Sequence, residues 1–412
     1  MTALLRSLHT AVPPTVLHQE RVRDALAAQP GLTRLGQRLV TAAFNASGIE
    51  RRHSVVREWE SEGSDAGRSA PSAGSGSGLF FEPDTGHILN PSTGARNAVY
   101  TEHAGDLYEE AAAGALADCP DLSREDISHV ITVSCTGFFS PGPDYQLVRR
   151  LGLQATTKRM HLGFMGCYAA LPALREAAAI CEADPAAVVL VVSVELCSVH
   201  VRVANDQDTI VGASLFSDGA GAAVVTGAER PRPPVPAAGA PARPALRLDG
   251  FATVLTPVGE DAMAWNIGDH GFEMILGTYV PHIIDDHITG ALEPLFAADR
   301  ASDRASQPPL ASRPPAELEH WAIHPGGRSI LDRVQARLGL SDAQLVPARD
   351  TLRDYGNMSS ATVLFVLQQI LEGAGAAGAN GANGAGSDGE RVCAMAFGPG
   401  LTVESALMTV VS

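Results

Sequence analysis

"HVITVSC" at 129–135, an amphipathic stretch over 166–182 and "AVVLVVSVEL" at 187–196 follow one another along the chain. That succession constrains the fold more than any other feature. A short continuous apolar run bounded by turns reads as a buried strand, and a 3.6-residue apolar period reads as a helix with one buried face. The pattern continues downstream: "GAGAAVVTG" (219–227) reads as a strand, "YVPHIIDDHITGALEPLF" (279–296) as a helix and "EHWAIHP" (319–325) as a strand. "GRSILDRVQARLGL" (327–340) has helical spacing and stops at a glycine. "SSATVLFVLQQILEGA" (359–374) opens on two serines able to cap a helix. "RVCAMAFGPG" and "LTVESALMTVV" read as two strands around a Gly-Pro-Gly turn. Strand and helix in alternation predict α/β layers.

Three stretches break the pattern. Residues 61–78 are Gly/Ser-rich, 229–244 Pro/Ala-rich and 372–390 a low-complexity run of Gly, Ala and Asn. Each reads as a mobile, solvated surface loop. The Pro-rich stretch divides the chain into an expected N-terminal half (1–235) and C-terminal half (245–412). With 412 residues, 45% of them hydrophobic, the chain can bury a sizeable core. A net charge of −16 argues against a nucleic-acid partner, and Lys158 is the only lysine. No apolar run is long enough to span a bilayer, and the opening "MTALLRSLHTAVPP" has no secretory h-region. The six cysteines show no metal-ligand spacing, so no metal cofactor is expected, and without an export signal reduced thiols and a cytoplasmic location are expected.

The chemistry-bearing residues lie at the edges of these elements. "GFMGCYAA" places Cys167 where a strand gives way to a helix. The partial positive charge of a helix N-terminus lowers a thiol pKa and favours thiolate. A small buried cysteine is also ordinary core material. "WAIHPGG" puts His324 at a strand end before a tight turn, a place where α/β proteins present reactive groups. "DYGNMSSA" sets Asn357 just ahead of a helix, as a turn residue or as an amide donor into a site. Together the three make an acyl-transfer set. The thiolate takes an acyl group, the imidazole stabilises the thiolate, and His and Asn donate to a thioester oxygen as charge develops.

With those stretches in place, the chain resembles the type III polyketide synthases of the chalcone synthase superfamily. The likeness runs through "GFMGCYAA", "SLFSDGAGAAVV" (214–225), "WAIHPGG", "DYGNMSSA" and "AFGPGLTVES" (396–405), five motifs in order. It implies a thiolase-like fold of two αβαβα halves in a five-layered core, working as a homodimer. It implies that Cys167 carries the starter and the growing chain, while His324 and Asn357 stabilise the enolate formed on malonyl-CoA decarboxylation. Phe216 and Phe272 stand where the family has two gatekeeping aromatics.

Cys135, Thr136, Ser140 and Cys197 stand at positions implied to line the cavity. Small residues at Thr136, Ser140 and Cys197 resemble bacterial alkylpyrone and alkylresorcinol synthases, which run an acyl tunnel there. The expected starter is therefore a medium- or long-chain fatty acyl-CoA, each buried methylene of which gains about 0.8 kcal/mol. An acyl carrier protein is the other conceivable starter donor. Arg51 and Arg52, with Arg38 upstream, are candidates for gripping CoA phosphates. An initiating 3-oxoacyl-(acyl-carrier-protein) synthase is the alternative of similar fold. Pro325-Gly326-Gly327 after the histidine and Tyr355 ahead of "GNMSSA" tell against it. A non-catalytic lipid-binding relative would be expected to lose the nucleophile, which this chain keeps.

Overall fold

The computed structural model describes residues 3–61, 78–82, 84–230, 244–299, 310–380 and 389–411. Most of the three low-complexity stretches lies outside the described residues. The chain opens with β1 (Ala3–Ala11), β2 (Thr15–His18), α1 (Gln19–Ala27), α2 (Arg34–Ala46) and β3 (Arg51–Ser54), followed by the long helix α3 (Thr93–Ala117). Then come β4 (His129–Ser134), α4 (Pro143–Arg150), β5 (Lys158–Gly163), α5 (Ala170–Ala183), β6 (Val188–Leu196), α6 (Gln207–Leu215) and β7 (Asp218–Gly227). The second half holds β8 (Ala245–Leu255), β9 (Met263–Gly268), β10 (Gly271–Leu276), α7 (Val280–Ala298), β11 (His320–Ile323), α8 (Arg328–Leu338) and α9 (Asp342–Tyr355). It closes with α10 (Thr362–Asn380), β12 (Arg391–Gly398) and β13 (Thr402–Val411).

Nine strands form one sheet in the order β11-β12-β13-β8-β1-β7-β6-β4-β5. β4 runs parallel to β5 and β6, and β11 parallel to β12; the remaining pairs are antiparallel. β1 is the seam, pairing with β7 on one side and β8 on the other. Helices α5 and α10 lie against strands of both half-sheets, α3 covers β1, β6 and β7, and α7 covers β8 and β13. Helix, sheet, helix, sheet and helix thus succeed one another as five layers.

Alternation along β7 shows how the sequence builds this. Ala220, Ala222 and Val224 join the core under α3, while Ala223 and Val225 join the core with α5. Gly219 and Gly221 face the central helices. A Cβ at Gly221 would sit 2.9 Å from Leu364, and one at Gly219 would sit 2.4 Å from Met358 Sδ. The "GAGAA" motif is therefore the groove into which the start of α10 descends.

Two expectations are adjusted. The helix read from residue 166 begins at Ala170, after a turn over 167–169. The low-complexity stretch from 372 is not a loop at its start, because α10 continues to Asn380. Its alanines are strong helix formers, and they carry the helix through the intervening glycines.

Candidate active site

The turn between β5 and α5 carries Cys167. Phe164 (φ 60°) and Gly166 (φ 80°) take left-handed conformations to reverse the chain. A Cβ on Gly166 would lie 2.4 Å from Pro399 Cδ, so the turn needs glycine there for two reasons. His324 continues the β11–β12 ladder by donating its N–H to Met395 O at 2.7 Å, and the chain then turns through Gly326 into α8. Asn357 follows α9. Its N–H donates to Leu215 O and its carbonyl accepts from Ser217 N–H, both at 2.9 Å, which clamps it to the α6–β7 junction. Asn357 Oδ1 accepts from Ser359 N–H at 2.9 Å, and Nδ2 makes a long bond to Gly326 O, at 3.4 Å.

Cys167, His324 and Asn357 line one cavity. Neither ring nitrogen of His324, itself 1% exposed, has a hydrogen-bond partner among the described residues. Burial lowers its pKa to about 3, so the imidazole is neutral at physiological pH. Burial pushes the Cys167 thiol up to about 11, while hydrogen bonds from Ser359 and Asn357 pull in the other direction. The thiolate expected at the helix start is therefore opposed by desolvation, and no Cys167–His324 ion pair is among those described.

A buried carboxylate stands behind this cavity. Glu195, the last residue but one of β6, accepts from Thr136 Oγ1 at 2.8 Å, Cys135 N–H at 3.0 Å and Cys135 Sγ at 3.3 Å. Ser360 also donates to it. Burial raises the Glu195 pKa and these donors oppose the rise. Cys135 Sγ also contacts Ser359 Oγ at 3.3 Å. Sequence reasoning missed Glu195, although one carboxylate closing the run "VVLVVSVEL" is the signal that could have found it.

A second chamber adjoins the first. Cys197, Phe216, Trp265 and Met274 line both, and Phe272 lines the second. Trp265, which sequence reasoning also missed, donates its indole N–H to Cys135 O at 3.0 Å and packs on Phe216, Phe272 and His200. The two phenylalanines read as gatekeepers thus flank the wall between the chambers, with a tryptophan between them.

Thr136 and Cys135 line the first cavity, and Ser140 does not. Asn97 of α3 holds both the N–H and the carbonyl of Phe138, each at 2.7 Å, and draws the following loop outward. Ser140 is therefore exposed. Arg52 is also displaced from its expected place. Its guanidinium points inward, with Nη1 donating to Ala213 O and Phe216 O at 2.8 Å, where it holds the gate backbone rather than a surface phosphate. Arg51 is exposed but bonded to Asp354 at 2.8 Å, and Arg38 lies on an open surface hollow of α2.

Sequence models for the N-terminal and C-terminal domains of chalcone and stilbene synthases match residues 79–230 and 251–412. The first match spans Cys167 and the second His324 and Asn357. The chain belongs to the chalcone and stilbene synthase family. Members of the family are type III polyketide synthases, acyltransferases that use CoA substrates, and the five layers are their thiolase-like fold. Among solved structures, the chain is similar to a type III pentaketide synthase from Neurospora crassa, with 26% identity, TM-score 0.77 and 99% of each chain covered. PKS-I from the brown alga Ectocarpus siliculosus shares 25% identity at TM-score 0.82, covering 100% of this chain and 98% of the other. The C-terminal type III polyketide synthase domain of Steely1, a type I/III hybrid from Dictyostelium, has the same fold at 24% identity, TM-score 0.81 and 100% coverage of both. Among the described residues no helix is long and apolar enough to cross a bilayer.

Proposed function

We propose that this type III polyketide synthase loads a medium- or long-chain fatty acyl group on Cys167 and extends it with malonyl-CoA. Closure to an alkylpyrone or alkylresorcinol would complete the reaction. One observation carries the starter assignment: a largely apolar second chamber shares Cys197 and Phe216 with the cavity that holds Cys167. Leu17, Val22, Leu26 and Val201 give that chamber an aliphatic wall suited to a hydrocarbon chain.

The chemistry divides among three side chains. The Cys167 thiol passes its proton to the neutral His324 imidazole as sulfur attacks the acyl-CoA carbonyl, and the proton leaves with the CoA thiol. Malonyl-CoA then loses CO2. The enolate oxygen accepts hydrogen bonds from the imidazole N–H of His324 and from Asn357 Nδ2. The enolate carbon attacks the Cys167 thioester, forms the new carbon–carbon bond and releases the sulfur for the next round. His324 has no partner on either ring nitrogen among the described residues, and Asn357 Nδ2 makes only long or weak bonds, which suits this role. The enzyme is further proposed to act as a cytoplasmic homodimer with CoA-borne starters, an acyl carrier protein being the other donor to test. Arg51 and Arg38 are the exposed cations left to meet CoA phosphates.

Mass spectrometry of products from malonyl-CoA and acyl-CoA starters from acetyl to stearoyl tests the reading. Pyrones or resorcinols peaking at long chains, and none from Cys167→Ala, are expected. Products only from short or aromatic starters would overturn the fatty acyl assignment.

A further inference from the structure

The second chamber is apolar on most of its wall, yet two of its lining side chains carry hydrogen-bond donors that nothing meets. Arg52 is 3% exposed, and its Nε and Nη2 are buried without a partner among the described residues. Trp59 lines the same chamber, and its Nε1 is likewise buried without a partner. A buried donor left unmatched costs about 1–3 kcal/mol, more when charged, so such groups mark places where a ligand completes the structure.

Asp218, the carboxylate that interacts with Arg52 electrostatically, is already committed to other donors. Its oxygens take Val55 N–H, Ser198 N–H and Ser198 Oγ–H at 2.8, 2.7 and 2.5 Å. Burial lowers the Arg52 pKa only to about 10, so the guanidinium remains a cation at neutral pH. The other charged lining residues are Arg202, held by Glu273 at 3.1 Å and Thr209 at 3.3 Å, and Asp208. The lining thus holds two cations against one carboxylate. The free edge of Arg52 presents two N–H groups side by side, a pattern that a carboxylate matches bidentately. A hydroxyl or an amide would leave the charge unmatched.

We infer that the second chamber binds an apolar chain that ends in a carboxylate, received by Arg52 and Trp59. This rests on the reading of that chamber as the acyl-chain site and narrows the ligand it takes. Two sources supply the chemistry: a starter thioester bearing an ω-carboxylate, or a free fatty acid entering by its headgroup.

Calorimetry on the Cys167→Ala protein separates them, using octanoyl-CoA, 7-carboxyheptanoyl-CoA and octanoate. The ω-carboxy thioester is expected to bind about tenfold more tightly than octanoyl-CoA. Trp59→Phe removes only the N–H and should cut that advantage severalfold. Arg52→Lys keeps one donor for the gate carbonyls and should abolish the advantage, with the fold checked by circular dichroism. Octanoate binding that weakens in Trp59→Phe, without preference between the thioesters, would assign the carboxylate to a free acid. Equal binding of the thioesters, with octanoate unbound or insensitive to Trp59→Phe, overturns the inference. Turnover of alkyl starters by the unsubstituted enzyme reads the proposed function separately. Alkyl extension without a carboxylate preference sinks only this inference, and the reverse sinks only the fatty acyl reading.

Discussion

At the scale of single residues, the site pairs a protonated thiol with a neutral imidazole in a dry cavity. Deleting either enolate donor, by His324→Ala or Asn357→Ala, should lower malonyl-CoA decarboxylation about 10²–10³-fold. The assay is carbon dioxide release, and acyl loading on Cys167 should suffer less in Asn357→Ala. The thiol also has a pH signature. Because burial raises its pKa to about 11, the thiolate fraction grows with every step above neutrality. Iodoacetamide inactivation should accelerate steadily from pH 7 to 10 in the protein without substrate. A rate already flat from pH 6 would mean that the helix end and His324 together hold a thiolate against desolvation. Cys167, His324 and Asn357 could be picked out in the sequence because each is a reactive type at the end of an element. Trp265 and Glu195 could not be picked out so easily. Trp265 meets Cys135 across 130 residues and Glu195 meets it across 60, and no local pattern announces either meeting.

At the scale of elements, close helix–sheet approach sets the position of Asn357. Gly221→Val would force side-chain atoms into Leu364 and lift α10 from β7. Overpacking of this kind costs roughly 1–3 kcal/mol. A lower Tm is expected, together with a loss of decarboxylation larger than the loss of acyl loading, because Asn357 moves and Cys167 does not. Several strands and helices of the two half-sheets were legible because buried strands and amphipathic helices have strong periods, whereas β1, β8, α3 and α9 were not read. The small pieces around the chambers were not. β2 and β3 are four residues each, and β9 and β10 form a half-exposed ribbon with a Trp and an Ile on its faces. Such pieces are ordered by what they pack on, so their own sequences carry little of the signal. Ser140 shows the same limit, since its direction is set by Asn97 of α3, more than forty residues earlier.

At the scale of the molecule, the proposed function makes the two chambers and the wall between them the determinants of starter length. Cys197 lines both, so Cys197→Phe should narrow the passage and shift the optimum to shorter chains. At about 0.8 kcal/mol per buried methylene, each excluded carbon costs roughly fourfold in kcat/KM. The starter ladder reads this directly, and an unchanged profile would place the chain elsewhere. The seam strand bears on assembly as well. β1 bonds to β7 and to β8, and Ala11 stands more than 230 residues before Ala245. Joining the half-sheets therefore closes a very long loop, which raises contact order and slows folding. Synthesis of the second half must reach β8 before β1 has both its neighbours. Until then, one edge of an apolar strand stands open as a template for the wrong partner.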